Sequence, residues 1–270
     1  MESSSGPWLE PGTFPKRWVD GTNSDEPPLQ VHRYAEHTWI LRQSVLTDFE
    51  GPFLYLFAGQ ERGLLVDTGA GGGVPLRRTI DQLIGTGFPL VVAHSHARRD
   101  HVADDAQFID RPDTTIVAHG PEDVARFFGI IDWPVRTARF DLGGRHIDVI
   151  PIPGHEPASI ALYDHQTQLL LTGDTAYPGR LYVRDFSAFR ASIDRLVVFT
   201  ADREVTWLLG GHIEMTSEKG VDYEYHVATH PNERELQLGR QHLVELKELL
   251  HAMGDEVRYE VHDDFIVVPR

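Results

Sequence analysis

The chain has 270 residues, 41% of them hydrophobic and 10% aromatic, enough to bury a sizeable core as one large domain. Its formal charge of −16, from 25 Lys and Arg against 41 Asp and Glu, disfavours phosphate-backbone binding, so nucleic acid is not an expected partner. Cysteine is absent, which excludes disulfides and thiolate ligands and leaves any metal to His, Asp and Glu.

No run of eighteen apolar residues occurs, and "MESSSGPWLEPGTFPKRW" has no apolar stretch flanked by a cleavage site, so a soluble cytoplasmic protein without a membrane partner is expected. Residues 1–28 are rich in Pro, Gly, Ser and acidic groups and read as an irregular arm, with residues 29–270 as one domain. The aromatic residues Trp8, Phe14 and Trp18 of that arm, with "EGPFLYLF", read as core rather than as the wall of an apolar substrate pocket.

From Gln30, "QVHRYAEHTWILRQ" and "FLYLFAGQERGLLVDTG" read as antiparallel hairpins, with branched and aromatic residues separated by turn signals. "VPLRRTIDQLIGTG" has helical spacing and a Gly-rich exit, and "PLVVAHSH" is an apolar run suited to a buried strand. Then come a short helix in "DDAQFID", the strand "TTIVAHG", the helix "PEDVARFFGII" and the strand "RHIDVIPIPGH". The hairpin "SIALYDHQTQLLLTGDTAY", the helix "SAFRASIDRLVVFTA", the strand "VTWLLGGH", a long helix "NERELQLGRQHLVELKELLHAMG" and a last strand "FIVVP" complete the chain. Strands and helices alternating through both halves predict an α/β protein, two sheets face to face with helices outside.

Four polar clusters fall at predicted strand ends: "HSHARRDH", "GHEPAS" at His155, "TGDTA" at Asp174 and "GGH" at His212. Loops at strand ends are where a rigid scaffold presents functional groups. Each cluster alone is a weak signal. Together they supply imidazoles and carboxylates of the kind that hold Zn, Fe or Mn with a position open for water, as hydrolysis requires.

These residues resemble the signature of the metallo-β-lactamase superfamily: H-x-H-x-D-H, then Gly-His, Gly-Asp and a second Gly-His. The intervals, 54 residues from His101 to His155, 19 on to Asp174 and 38 on to His212, are similar to those of its glyoxalase II-like branch. The resemblance runs from about Gln30 to Met215 and implies a four-layer αββα sandwich with metals at one edge of the sheets. It implies that His96 and His155 hold a first metal, that Asp100, His101 and His212 hold a second, and that Asp174 bridges them. Asp67 in "VDTG" is implied as a structural support for the site rather than a ligand.

One position departs from the pattern. Anchoring on Asp100 and His101 puts Arg98 where the motif has its second histidine. The alternative pairs His94 with His96, and puts Ala97 to Arg99 where the motif has one residue. A guanidinium stays protonated and cannot ligate a metal. Arg98 therefore either replaces the first cation, pairing with Asp174 or a substrate carboxylate or phosphate, or swings out as one of a solvated pair with Arg99.

The resemblance implies a hydrolase in which one or two ions, zinc with iron or manganese as alternatives, act on an ester, lactone, thioester or amide of a small molecule, with Asp100 as base and Arg98 as a catalytic or substrate-binding cation. The altered first site points to a mononuclear centre. An iron-dependent redox enzyme and a metal-depleted binding protein are the competing readings. "DTAYPGRLYVRDF" supplies Tyr177, Arg180, Tyr182 and Arg184 as candidate substrate contacts, while His226 and His230 are not expected to be ligands. The expected partner is a small-molecule substrate, with a homodimer as an open arrangement.

Overall fold

The computed structural model describes residues 12–270. The first sheet holds β1 (Leu29–Ala35), β2 (Thr38–Gln43), β3 (Phe53–Ala58), β4 (Gly63–Val66), β5 (Leu90–Ala93) and β6 (Thr114–Ile116) in that spatial order. Its first four strands are antiparallel neighbours, as the hairpin patterns predict, and β4, β5 and β6 run parallel. The parallel step is possible because α1 (Leu76–Ile84) crosses between β4 and β5.

The second sheet contains β7 (Ala138–Asp141), β8 (His146–Pro151), β9 (Ile160–Asp164), β10 (Leu169–Gly173), β12 (Trp207–Gly210) and β13 (Gln237–Leu238), ordered β13-β12-β10-β9-β8-β7. A third, smaller sheet joins β11 (Arg180–Val183) to β15 (Ile266–Pro269) and β14 (Glu260–Val261).

The period-2 pattern of β3 shows why four layers form. Phe53, Tyr55 and Phe57 face Ile147, Val149, Leu162 and Leu171 of the second sheet. Leu54, Leu56 and Ala58, one residue out of phase, pack with Leu76 and Ile80 of α1. Across the second sheet, Ala161, Leu170 and Leu208 meet α4 (Phe186–Phe199) through Phe189, Ile193 and Leu196, and α5 (Arg240–Ala252) through Leu243, Leu246 and Leu250. The order is α, β, β, α, the sandwich that the alternation predicts. The four-residue helix α2 (Arg99–Val102) carries Asp100 and His101, and the helix α3 (Pro121–Phe128) adds Val124 and Phe128 to the central core.

Some elements differ from the sequence reading. The long helix predicted from Asn232 begins only at Arg240, because Glu233 is drawn into a bidentate pair with buried Arg42 at 2.5 and 2.6 Å and Leu238 pairs with Leu208 as strand. "DTAYPGRLYVRDF" contains a strand, β11, which is not among the predicted elements. The predicted helix in "DDAQFID" is a single 3-10 turn, Asp105–Phe108. Trp8 lies outside the described residues, whereas Phe14 rests on Tyr34 at 5.3 Å and Trp18 meets Phe53 edge-on at 5.0 Å, both against the central core. Among the described residues no helix is long and apolar enough to cross a membrane.

Candidate metal centre

The four polar clusters meet at one edge of the sandwich. Asp67 follows the last residue of β4, and the left-handed φ of 67° turns its carboxylate back toward the strand end after β5. There Oδ1 accepts the Ser95 N–H at 2.7 Å, and Oδ2 accepts the Ser95 hydroxyl and His101 Nδ1–H, both at 2.8 Å. His96 Nδ1 lies 3.1 Å from Ser95 Oγ, whose own proton is already given to Asp67. One carboxylate thus fixes two imidazoles, one directly and one through a hydroxyl.

The other two imidazoles are held by backbone carbonyls. His155 Nδ1 donates to Tyr182 O at 3.0 Å, and His212 Nδ1 donates to Glu50 O at 2.8 Å. Every Nδ1 is therefore engaged, and each ring presents Nε2, the atom left to serve as a ligand, to the cavity. His96 Nε2, His155 Nε2 and Asp174 Oδ1 are buried without a hydrogen-bond partner among the described residues.

Around Asp174 the ligand-type atoms divide into two groups. In the first, Asp100 Oδ2 is 3.1 Å from His101 Nε2 and 3.2 Å from His212 Nε2, and the two nitrogens are 3.3 Å apart. Asp174 Oδ1 lies 3.4 Å from His101 Nε2 and 3.5 Å from His212 Nε2. Ligands about 2.0–2.2 Å from a tetrahedral ion stand about 3.3–3.6 Å from one another, so these residues fit a divalent metal. In the second group, Asp174 Oδ2 is 3.6 Å from both His96 Nε2 and His155 Nε2, giving three donors rather than four.

Electrostatics separate the same two groups. Burial opposes charge on His212, yet Asp174 and Asp100 raise it to about 9, and burial is likewise outweighed at His101 by Asp67, Asp174 and Asp100. Against their own burial, Asp100 and Asp174 are held well below the usual carboxylate range by these imidazoles. The first group demands positive charge. In the second, burial and the neighbouring His101 hold His96 low, and burial holds His155 low with the Arg98 guanidinium adding to the effect.

The Arg98 side chain is half-buried and takes part in no hydrogen bond or ion pair among the described residues; its backbone carbonyl accepts the His101 N–H at 2.9 Å, and its charge is felt at His155. Arg99 is exposed and leans toward Asp48 at 3.9 Å. The two arginines therefore differ in surroundings. His94 belongs to neither group: its Nε2 is bonded to Asp105 Oδ1 at 2.8 Å.

Tyr177, Arg180 and Tyr182 sit beside the centre but are bonded within the protein. The Tyr177 hydroxyl lies 2.7 Å from Arg180 O and 2.8 Å from Glu214 Oε2, and its ring packs on His212 at 5.8 Å. Arg180 pairs with Glu214 at 2.9 Å and Asp222 at 2.6 Å, Tyr182 meets the Tyr225 hydroxyl, and Arg184 pairs with Glu156 at 2.7 Å. His226 rests on Phe49 and His230 stacks on Tyr223, neither joining the ligand groups.

Sequence reasoning passes over Glu50. Its carbonyl orients His212, and its own carboxyl is pushed up to about 7 by burial and by Asp100. Nothing in "TDFEGPF" marks it, because a backbone acceptor leaves no trace in residue type. Gly211 has a clear reason for being glycine: a Cβ there would stand 2.5 Å from Asp174 Oδ1 and 2.9 Å from His101 Cε1.

A four-layer sandwich carrying clustered His and Asp at one sheet edge defines a metallo-β-lactamase-type protein. The chain belongs to the metallo-beta-lactamase superfamily, whose family model matches residues 47–212. It is similar to a hydroxyacylglutathione hydrolase of Rhizobium meliloti, 31% identical over 134 residues that make up 48% of this chain and 52% of the relative, so it spans about half of that protein. It is also similar to an acyl-coenzyme A thioesterase, MBLAC2, of Gallus gallus, 25% identical over 60% of this chain and 72% of the relative. A metallo-beta-lactamase structure from Pontibacter korlensis shares the fold, with a TM-score of 0.54 at 15% identity over 83% of this chain and 99% of that one. At the level of the superfamily these relatives support a hydrolase.

Proposed function

We propose that the chain is a metal-dependent hydrolase of an ester, lactone, thioester or amide bond in a small molecule, acting in the cytoplasm with one tightly held divalent ion and with Arg98 as a fixed cation beside it. The observation that supports this most is the set of separations among Asp100 Oδ2, His101 Nε2, His212 Nε2 and Asp174 Oδ1, those measured running from 3.1 to 3.5 Å. An ion there, zinc first and iron or manganese as alternatives, supplies Lewis-acid polarisation of a carbonyl and a water made nucleophilic near neutral pH.

The chain's own residues have separate tasks. Asp100 turns Oδ2 to the two imidazoles and is the group we assign to orient the attacking water and take its proton. Asp67 and the Glu50 carbonyl keep His101 and His212 from rotating. Arg98, whose rigid fork of donors has no partner among the described residues, takes an anionic group of the substrate on the His96 and His155 side. Tyr177, Arg180 and Tyr182 form the wall, through which Tyr182 O fixes His155.

The relative named as an acyl-coenzyme A thioesterase makes thioesters the first class to assay. Zinc-loaded protein should hydrolyse an acyl-coenzyme A or a simple ester, and Asp100→Asn should abolish turnover. Protein carrying one zinc per chain that turns over no ester, lactone, thioester or amide would overturn the reading.

A further inference from the structure

His94, Asp105 and His119 form a cluster that the centre at Asp174 does not use. They come from three places in the chain: the residue after β5, the start of the 3-10 turn, and the loop between β6 and α3. His94 Nε2 lies 2.8 Å from Asp105 Oδ1 and His119 Nε2 2.9 Å from Asp105 Oδ2, with the two rings perpendicular at 4.7 Å. Thr68 donates its hydroxyl to Asp105 Oδ1 at 2.8 Å, which fixes the carboxylate before anything binds.

We propose that His94, Asp105 and His119 form a separate, peripheral binding site for a divalent transition-metal ion. Two imidazoles and one carboxylate make a facial set of the kind that zinc, nickel or iron accepts, with remaining positions for water. His119 is 39% exposed along its side chain and Asp105 19%, while His94 is buried, so the site has a closed inner ligand and an outer side open to solvent.

The geometry needs little change. Separations of 2.8 and 2.9 Å are those of ring N–H groups donating to a carboxylate, and a shared ion opens them by about half an ångström. Each neutral imidazole then carries its proton on Nδ1 instead of Nε2, so no net charge is lost from the protein. Having three protein ligands rather than four, this position binds more weakly than the centre at Asp174. His94 stands two residues before His96, and a narrow cleft is lined by His94, His96 and His119 together, so an ion here lies close behind the incomplete half of that centre.

The test is a Zn2+ titration of the chelator-treated full chain, followed by calorimetry and native mass spectrometry, beside His119→Ala and Asp105→Asn. Wild type should take up one more Zn2+ than either variant, the extra ion should leave first when chelator returns, and the tighter ion should be unchanged. His119→Ala removes a surface side chain, so its melting curve should match wild type, and Asp105→Asn gives an independent reading that keeps the size of the side chain. Equal stoichiometry in wild type and His119→Ala would overturn the proposal and leave the cluster a hydrogen-bond network. Because only the difference between proteins is read, loss of the tight ion would refute the hydrolase centre without touching this result.

Discussion

On one side of Asp174, Oδ1 faces His101 and His212 and Asp100 closes a set of four ligand atoms; on the other, Oδ2 faces His96 and His155 alone among the described residues, with the Arg98 charge felt at His155. Both sides are buried, and both have every imidazole oriented through Nδ1. They differ in charge. The first side concentrates two carboxylates on two imidazoles and calls for a cation, whereas the second already has one within electrostatic reach. The two neighbouring sites, which share Asp174, thus differ in the number of ligand-type residues and in the charge around them.

The largest effect should follow from breaking the complete side. Asp100→Asn or His212→Ala removes a ligand itself, so zinc affinity measured by competition with a chromogenic chelator should fall by more than the roughly 100-fold that marks loss of an outer partner. His155→Ala should cost far less affinity for the tight ion, and equal losses from both sides would erase the distinction.

A control belongs at the far end of the sandwich. There Arg145 bridges the sheets, pairing with Asp164 at 2.9 and 2.6 Å and donating to Thr38 Oγ1 and His37 O, both at 2.7 Å. Arg145→Met leaves Asp164 buried with only Thr167 and Gln166 as donors and should cost about 3 kcal/mol in urea denaturation at neutral pH. Against its burial, Arg145 holds the folded pKa of Asp164 low, so the contribution is complete above the unfolded value of about 3.9 and is lost as pH falls through the lower folded value. The gap between wild type and variant should narrow below about pH 4. Metal affinity should be unmoved, which separates damage to the scaffold from damage to the site.

Asp67→Asn should be milder than loss of a ligand. It weakens the acceptor that fixes His101 directly and His96 through Ser95, so affinity for the tight ion should drop about 10–100-fold with the fold intact. An unchanged affinity would show that packing alone orients the rings.

Much of this was legible in the sequence. The αββα order follows from alternating strands and helices, and the ligand candidates stand out because His and Asp recur where apolar runs stop. The "VDTG" resemblance pointed to Asp67 as a support. What escaped has a physical reason. The strands β7, β13 and β14 are too short for a period to register, and β11 is buried on both faces, so "RLYV" does not alternate. The first turns predicted for α5 are overridden by Glu233 reaching Arg42, a tertiary pairing 191 residues apart. The carbonyls of Glu50 and Tyr182 could not be read from residue type at all. His94 looked like a candidate for the centre, and only the fold shows it paired with Asp105 and His119.

The central claim, that Arg98 makes the second side incomplete, is tested most directly by counting zinc per chain by elemental analysis in a His119→Ala background, which sets the peripheral cluster aside. The account predicts one ion with Arg98 in place, still one with Arg98→Ala, and a rise toward two with Arg98→His. Two ions per chain with Arg98 present, about 3.5–4 Å apart at Asp174, would contradict it.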